Sequence, residues 1–251
     1  MAYFPHENPN TQKMSSAPPQ IGFDRFIQLD WARAALRVRA GLADAEVLTE
    51  FIDASHAGAA AKKKTRTVLN RLWLEPRPDL VEFAERGVRI YRESPETSIS
   101  VLTWGMAIAS YPFFGKVAEI VGRLTALQGD CASAEIHRRM AETYGEREGT
   151  RRMTNMVLQS QANWGAIERS MNGKRLARMP QQRLTAPELI AWLVEATLRY
   201  SRSSLSLSSL ESTPVLFPFH INGAARAAIN RSKFVDVFLS GNEEHITLMT
   251  A

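Results

Sequence analysis

Cysteine is almost absent from this chain: Cys131 is the only one in 251 residues. No disulfide framework can form within the chain, which fits a reducing cytoplasm. A structural zinc site is disfavoured as well. The five histidines (6, 56, 137, 220 and 245) are scattered, with no HxxxH or HExxH spacing, so no metal is expected. Long apolar runs are also missing. The uncharged stretch from Ser98 to Gly115 is short for a bilayer span and contains Thr103, Ser110 and Pro112. It reads as a core helix and a turn. The N-terminal segment has no basic start followed by an apolar run, so no secretory signal is read there. A cytoplasmic protein with no membrane partner is the expectation. No glycine-rich phosphate loop, no GxSxG and no paired-carboxylate motif stands out, so neither cofactor nor catalysis is expected.

What is present is ordinary for a folded protein. Apolar residues make up 45% and charged residues 23%, which suits a chain with a sizeable core. Lysine and arginine number 31 against 26 acids, a net charge of +5. The placement of that charge is more informative than its size.

Residues 1–20 are rich in Pro, Asn and Ser and read as a flexible tail. Residues 21–111 read as a helical domain. Trp31, Ala34, Ala35 and Val38 recur at helical spacing. Val47, Leu48 and Phe51 share a side of the next segment. Ala59 to Leu74 offers Val68, Leu69, Leu72 and Leu74. Asp79 to Tyr91 offers Leu80, Val81, Phe83 and Val88. Ser100 to Ser110 is almost wholly apolar, as a helix buried on most sides would be.

Pro112 opens a second unit, 112–183. Val117, Ile120, Val121, Leu124 and Leu127 mark an amphipathic helix that Gly129-Asp130 breaks. Cys131 falls in a short extended piece, where core packing is favoured over a nucleophilic role. Ser133 is a candidate N-cap, with Ile136, Met140 and Tyr144 facing inward. Gly145 and Gly149 bracket a turn. A third helix is expected from Thr150 to Trp164 and ends at Gly165. Asn172-Gly173 predicts a two-residue type I′ hairpin between Ala166–Met171 and Lys174–Met179, with Ile167, Leu176 and Met179 inward. Residues 184–251 follow. Thr185 to Glu188 reads as a capping box for a helix reaching Tyr200. The serine-rich segment 201–212 reads as a loop, and a hairpin is expected from Phe234–Leu239 and His245–Met249 across Gly241-Asn242.

Three helices, a short extended piece and a hairpin are the order of a winged helix-turn-helix. The expected fold is therefore mainly α: an N-terminal helical domain, a winged helix-turn-helix with a small β-hairpin wing, and a short α+β C-terminal tail.

On the third helix, Met153, Val157, Ser160 or Gln161, and Trp164 form a packing stripe. Arg151, Arg152, Asn155, Gln159 and Asn163 fall mostly on the other side. Such side chains suit phosphates and base edges. From Arg147 to Arg183 there are eight Lys and Arg against two acids, +6 in one window. That clustering is the footprint of a polyanion binder. Arg151, Arg152, Asn155 and Gln159 are the expected groove contacts with double-stranded DNA. Lys174, Arg175 and Arg178 are expected to touch phosphates from the wing, with Arg169 and Arg183 flanking. Winged modules also dimerise or dock partners, so a scaffold or adaptor, or a transcriptional regulator, is the alternative. The basic run Lys62-Lys63-Lys64-Thr65-Arg66 reads as a solvated helix surface. An enzyme would require His137, Glu135 and a further acid to meet in a deep pocket.

The run AAAKKKTRTVLNRLWLEPRPDLVEFAERG, the apolar helix after it, and KVAEIVGRL resemble BrxA-like proteins of bacteriophage exclusion (BREX) systems. The later EREGTRRMTNMVLQSQANWGAIER does too. The resemblance covers residues 25–200 and rests on diffuse helix patterns. It implies a small, mostly helical DNA-binding accessory protein of anti-phage defence, without known catalysis, alongside other defence-system proteins. The longer N-terminal tail and the segments after Tyr200 depart from that pattern.

Overall fold

The computed structural model describes residues 22–55, 57–221 and 223–249. The tail expected at 1–20 lies outside the described residues, as do His6 and His56. The chain is mainly helical, with eleven α-helices and small sheets among the described residues. No helix among them is long and apolar enough to cross a membrane.

The first five helices are α1 (Leu29–Arg39), α2 (Ala45–Ser55), α3 (Ala59–Leu69), α4 (Val81–Glu93) and α5 (Pro95–Ser110). α3 runs on into a π-helical turn at Asn70–Leu74, and a 3-10 turn at Pro78–Leu80 leads into α4. α5 lies at the centre, and residues 101–110 are all buried. After Glu96 it carries no charged residue, so it can be enclosed on every side at no desolvation cost to ions. Gly105 makes one such contact possible: a Cβ there would lie 2.3 Å from the Trp192 ring.

Next come α6 (Pro112–Gln128), β1 (Asp130–Ala132), α7 (Ser133–Tyr144), α8 (Glu148–Asn163), β2 (Ile167–Ser170) and β3 (Arg175–Arg178). Gly129 ends α6 with a left-handed φ of 75°. The three strands form an antiparallel sheet in the order β1-β3-β2, with Cys131 opposite Leu176 and Ile167 opposite Arg178. Cys131 is buried there, and burial pushes its thiol up to about 11, so it is a poor nucleophile.

The remainder comprises β4 (Gln182–Arg183), α9 (Pro187–Ser201), β5 (Leu205–Ser206), α10 (Leu207–Glu211), β6 (Phe219–His220), α11 (Ala225–Ile229), β7 (Val235–Ser240) and β8 (Glu243–Leu248). β4 and β6 form a parallel pair, and β5, β8 and β7 an antiparallel sheet. The β7–β8 hairpin turns across Gly241-Asn242 as expected, with Ser240 opposite Glu243.

Several local expectations need correction. Ser133 is the first residue of α7 rather than its cap; Ala132 holds that position without a side-chain bond. The Ser133 N–H instead donates to the Lys174 carbonyl at 2.9 Å, so the sheet anchors the helix start. Thr185 does not cap α9 either. Pro187 opens the helix behind an uncapped Ala186, because the Leu184 N–H is bound to the His220 carbonyl and holds the chain in the β4–β6 pairing. The serine-rich segment is not a plain loop. Leu205 and Ser206 pair with β8, and the Ser206 hydroxyl accepts the Ser209 N–H at 3.2 Å to cap α10. Val47, Phe51, Val81, Leu127 and Met179 are exposed; on α2 the inward pair is Leu48 and Ile52.

One continuous core joins all of this. Trp104 of α5 meets Phe114, Trp164, Phe217 and Phe219 edge-on, and its indole N–H donates to the Val215 carbonyl at 3.0 Å. Trp192 of α9 stacks on Phe83 of α4, with ring centroids 4.2 Å apart. Beside that stack, Arg86 and Glu195 form a buried ion pair at 2.5 Å. The Arg86 guanidinium also lies 3.5 Å from the centre of the Phe234 ring, so it binds α4, α9 and the approach to β7.

Removing Glu195 leaves the buried Arg86 only the exposed Glu82 at 3.3 Å, and takes from Arg199 the carboxylate it meets at 2.7 Å. Glu195→Ala is expected to lower the unfolding free energy by about 3–5 kcal/mol in urea titrations, and the double variant R86M/E195M to regain most of it. Gly122 is the tightest approach in the fold, since a Cβ would lie 2.1 Å from the Pro214 carbonyl oxygen. Gly122→Ala is expected to cost about 1–3 kcal/mol. Gly149→Ala meets nothing within 4 Å and is expected to raise stability by about 0.5 kcal/mol.

Candidate nucleic-acid interface

The residues singled out in the sequence lie on α8, on the β2–β3 hairpin and on β4. The two ends of α8 do different work. At its C-terminal end, the Ser160 hydroxyl accepts the Ile27 N–H at 2.9 Å. Asn163 Oδ1 accepts the Leu29 N–H at 2.7 Å, and the Trp164 indole donates to the Ile27 carbonyl at 2.9 Å. This end is clamped to the segment entering α1. Asn163 is exposed, as expected of the outer face, and also satisfies a donor at the α1 N-terminus. The N-terminal turns of α8 carry no such clamp. Thr150, Thr154, Val157 and Leu158 face the core, while Arg151 and Arg152 are exposed.

The hairpin differs from the expected two-residue turn. Ser170 pairs with Arg175, which leaves a four-residue connection from 171 to 174. Met171, Asn172 and Gly173 all adopt positive φ, at 51°, 57° and 79°. Gly173 has a second role. Arg169 lies across it, and a Cβ there would sit 2.5 Å from the guanidinium Nη2.

The nine residues expected to touch DNA fall into two groups. Arg151, Arg152, Lys174 and Arg183 are exposed, and no hydrogen bond or ion pair engages their side chains among the described residues. Gln159 is half-buried on the same helix. The others have intramolecular work. Arg169 donates to Asn155 Oδ1 at 2.9 Å, linking the hairpin to α8. Arg175 pairs with Asp130 of β1, which raises its pKa. Arg178 donates to the Phe217 carbonyl and lies over the Phe217 ring; burial lowers its pKa. Arg175 and Arg178 therefore brace the hairpin against its neighbours, and the free cations sit at its tip and along the start of α8.

His137 of α7 adjoins this group, although it is not one of the nine. It is half-buried. Its Nδ1 is shielded from solvent and has no hydrogen-bond partner among the described residues. Burial, then Arg151 and Arg169, hold its pKa below the usual 6.5. The signal available in the sequence was its place on α7, the helix just before α8.

The basic run on α3 is largely engaged. Lys62 pairs with Asp53 at 2.9 Å, Lys64 with Asp24 at 3.5 Å, and Arg66 donates to Thr49 at 2.8 Å. Two cavities stand out among the described residues. One of about 820 Å³ lies between α4, the start of α9 and the segment after α11, and another of about 360 Å³ between α6 and α9. Neither is lined by His137 or Glu135. Arg138 and Arg139 grip Glu135 and hold its carboxyl at about 2. No group of His, Cys, Asp and Glu among the described residues could hold a metal ion.

No family model, curated protein or solved structure matches the chain.

The depressed pKa of His137 has a definite sign. The unfolded state binds the proton more readily than the folded state, so this residue contributes stability above about pH 6.5 that is lost as pH falls. Between pH 7.5 and pH 5.5 the melting temperature of His137→Gln is expected to fall less than that of the unaltered protein. Equal falls in parallel thermal melts would contradict the assignment.

Proposed function

We propose that this chain binds double-stranded DNA without catalysing a reaction, with α8 as the groove-facing helix and the β2–β3 hairpin as a wing beside it. The order α6, β1, α7, α8, β2, β3 and the strand order β1-β3-β2 support reading this region as a winged helix-turn-helix. In that arrangement the N-terminal residues of the last helix contact base edges. On α8 those are the turns left free by the clamp at its other end.

The observation that carries the reading is the set of exposed, unengaged cations. Arg151 and Arg152 on α8 and Lys174 at the hairpin tip have no acid partner among the described residues, while the acids of neighbouring α7 are occupied by Arg138 and Arg139. Cations held without counter-charges at adjoining sites favour a polyanion and release its counterions on binding. Arg151 and Arg152 are the groove candidates, with Gln159 beyond them. Lys174 and Arg183 would meet phosphates. Asn155 holds Arg169 and so positions it. The resemblance of residues 25–200 to BrxA-like proteins is in line with an accessory role in anti-phage defence beside other defence-system proteins, and that role is part of the proposal.

A second reading, a scaffold that docks a partner protein, is favoured by one feature. Leu42, Val47 and Phe51 are exposed at and after the turn into α2, and Val47 and Phe51 lie one helical turn apart.

Anisotropy titration of a labelled duplex at 50 and 200 mM salt separates the two. DNA binding is expected to weaken steeply with salt. R151A/R152A and Lys174→Ala are expected to lower the slope of log K against log salt by about 0.9 for each phosphate that is no longer neutralised. Arg178→Ala is expected to lower the melting temperature more than the slope. No binding at low salt would defeat the DNA reading.

A further inference from the structure

The junction of α7, α8 and the β2–β3 hairpin gathers basic side chains that pair with no carboxylate among the described residues. His137 comes from α7, Arg151 from α8 and Arg169 from β2, and both arginines act electrostatically on His137. Two polar atoms there are shielded from solvent and unpartnered: His137 Nδ1 and Arg169 Nε. The Arg169 guanidinium has one neutral acceptor, Asn155 Oδ1, and is pressed against Gly173.

Several of the neighbouring carboxylates are committed elsewhere. Asp130 of β1 pairs with Arg175. Glu135 and Glu142 of α7 pair with Arg138 and Arg139. On α6, Glu119 pairs with Lys116 and Arg123. Glu168 is exposed and alternates to the other face of β2 from Arg169, and Glu148 is exposed at the start of α8. Crowded cations with unmet donors are costly unless an anion completes the group. Donors arriving from three elements suit a tetrahedral oxyanion, and guanidinium forks match phosphate oxygens.

We propose that His137, Arg151 and Arg169 form a notch for one backbone phosphate of the bound duplex. This rests on the DNA-binding reading and adds to it a residue, a ligand group and a proton. A phosphate in the notch offsets the two arginines and favours the imidazolium, both of whose nitrogens donate. Binding then takes up a proton at His137, and affinity rises as pH falls.

The test uses the full chain and a labelled duplex at fixed salt, at pH 7.5 and pH 6.0. Wild type is expected to bind about fivefold tighter at pH 6.0, within the limit of about tenfold per pH unit for one proton. His137→Gln is expected to bind more weakly at pH 6.0 and to lose the pH difference, while His137→Arg, with a fixed charge, binds equally well at both values. Thermal melts verify that each variant is folded. In the unaltered protein, the His137 imidazole resonance is followed by NMR with duplex and, separately, with inorganic phosphate; its pKa is expected to rise with duplex. Wild-type binding whose pH dependence survives in His137→Gln, or a His137 pKa unmoved by duplex, overturns the notch while DNA binding stands. A rise with inorganic phosphate and none with duplex overturns it too. No duplex binding by wild type at either pH defeats both readings.

Discussion

The fold depends on the hydrogen-bonded clamp at the C-terminal end of α8. Ser160, Asn163 and Trp164 receive the chain entering α1 through three hydrogen bonds, and the Trp164 ring packs against Phe23, Trp104 and Phe114. These interactions join the start of the described chain to its middle. They fix the axis of α8 without covering its first turns.

Charge is arranged around the same helix with a clear division. Arg178 at the root of the hairpin is bonded to a backbone carbonyl, and Arg175 beside its turn is neutralised by Asp130. Cations at the tip and along the first turns of α8 are left unpaired. Bracing the hairpin needs partners inside the protein, whereas meeting an outside polyanion needs side chains that have none. Arg169 stands between these roles: Asn155 holds it, yet its Nε and the adjoining His137 Nδ1 remain unmet. A cluster of this kind costs stability in the isolated protein, and an incoming anion can offset that cost.

Much of the helical framework was legible in the residues. The apolar spacing of α6 and α7 reflects the 3.6-residue period, and that period is local. The inward positions Ile136, Met140 and Tyr144 follow from it directly. The β7–β8 turn was legible as well, because Gly241 allows the positive φ that the turn requires. Caps and short strands were less so. Ser133 and Thr185 have side chains suited to capping, but distant carbonyls at Lys174 and His220 had already set the chain at those points. β5 in the serine-rich segment has only two residues and exists because β8 pairs with it.

By itself the sequence determined a mainly helical chain with its positive charge concentrated between residues 147 and 183, since helical period and charge order are properties of neighbours along the backbone. Which of those charges remain free was decided by tertiary structure alone. Arg152 and Arg178 look alike in the sequence. One ends in solvent and the other on the Phe217 carbonyl, because a cation is neutralised by whatever oxygen the fold brings within bonding distance, and residues 178 and 217 meet only after the chain has folded back on itself.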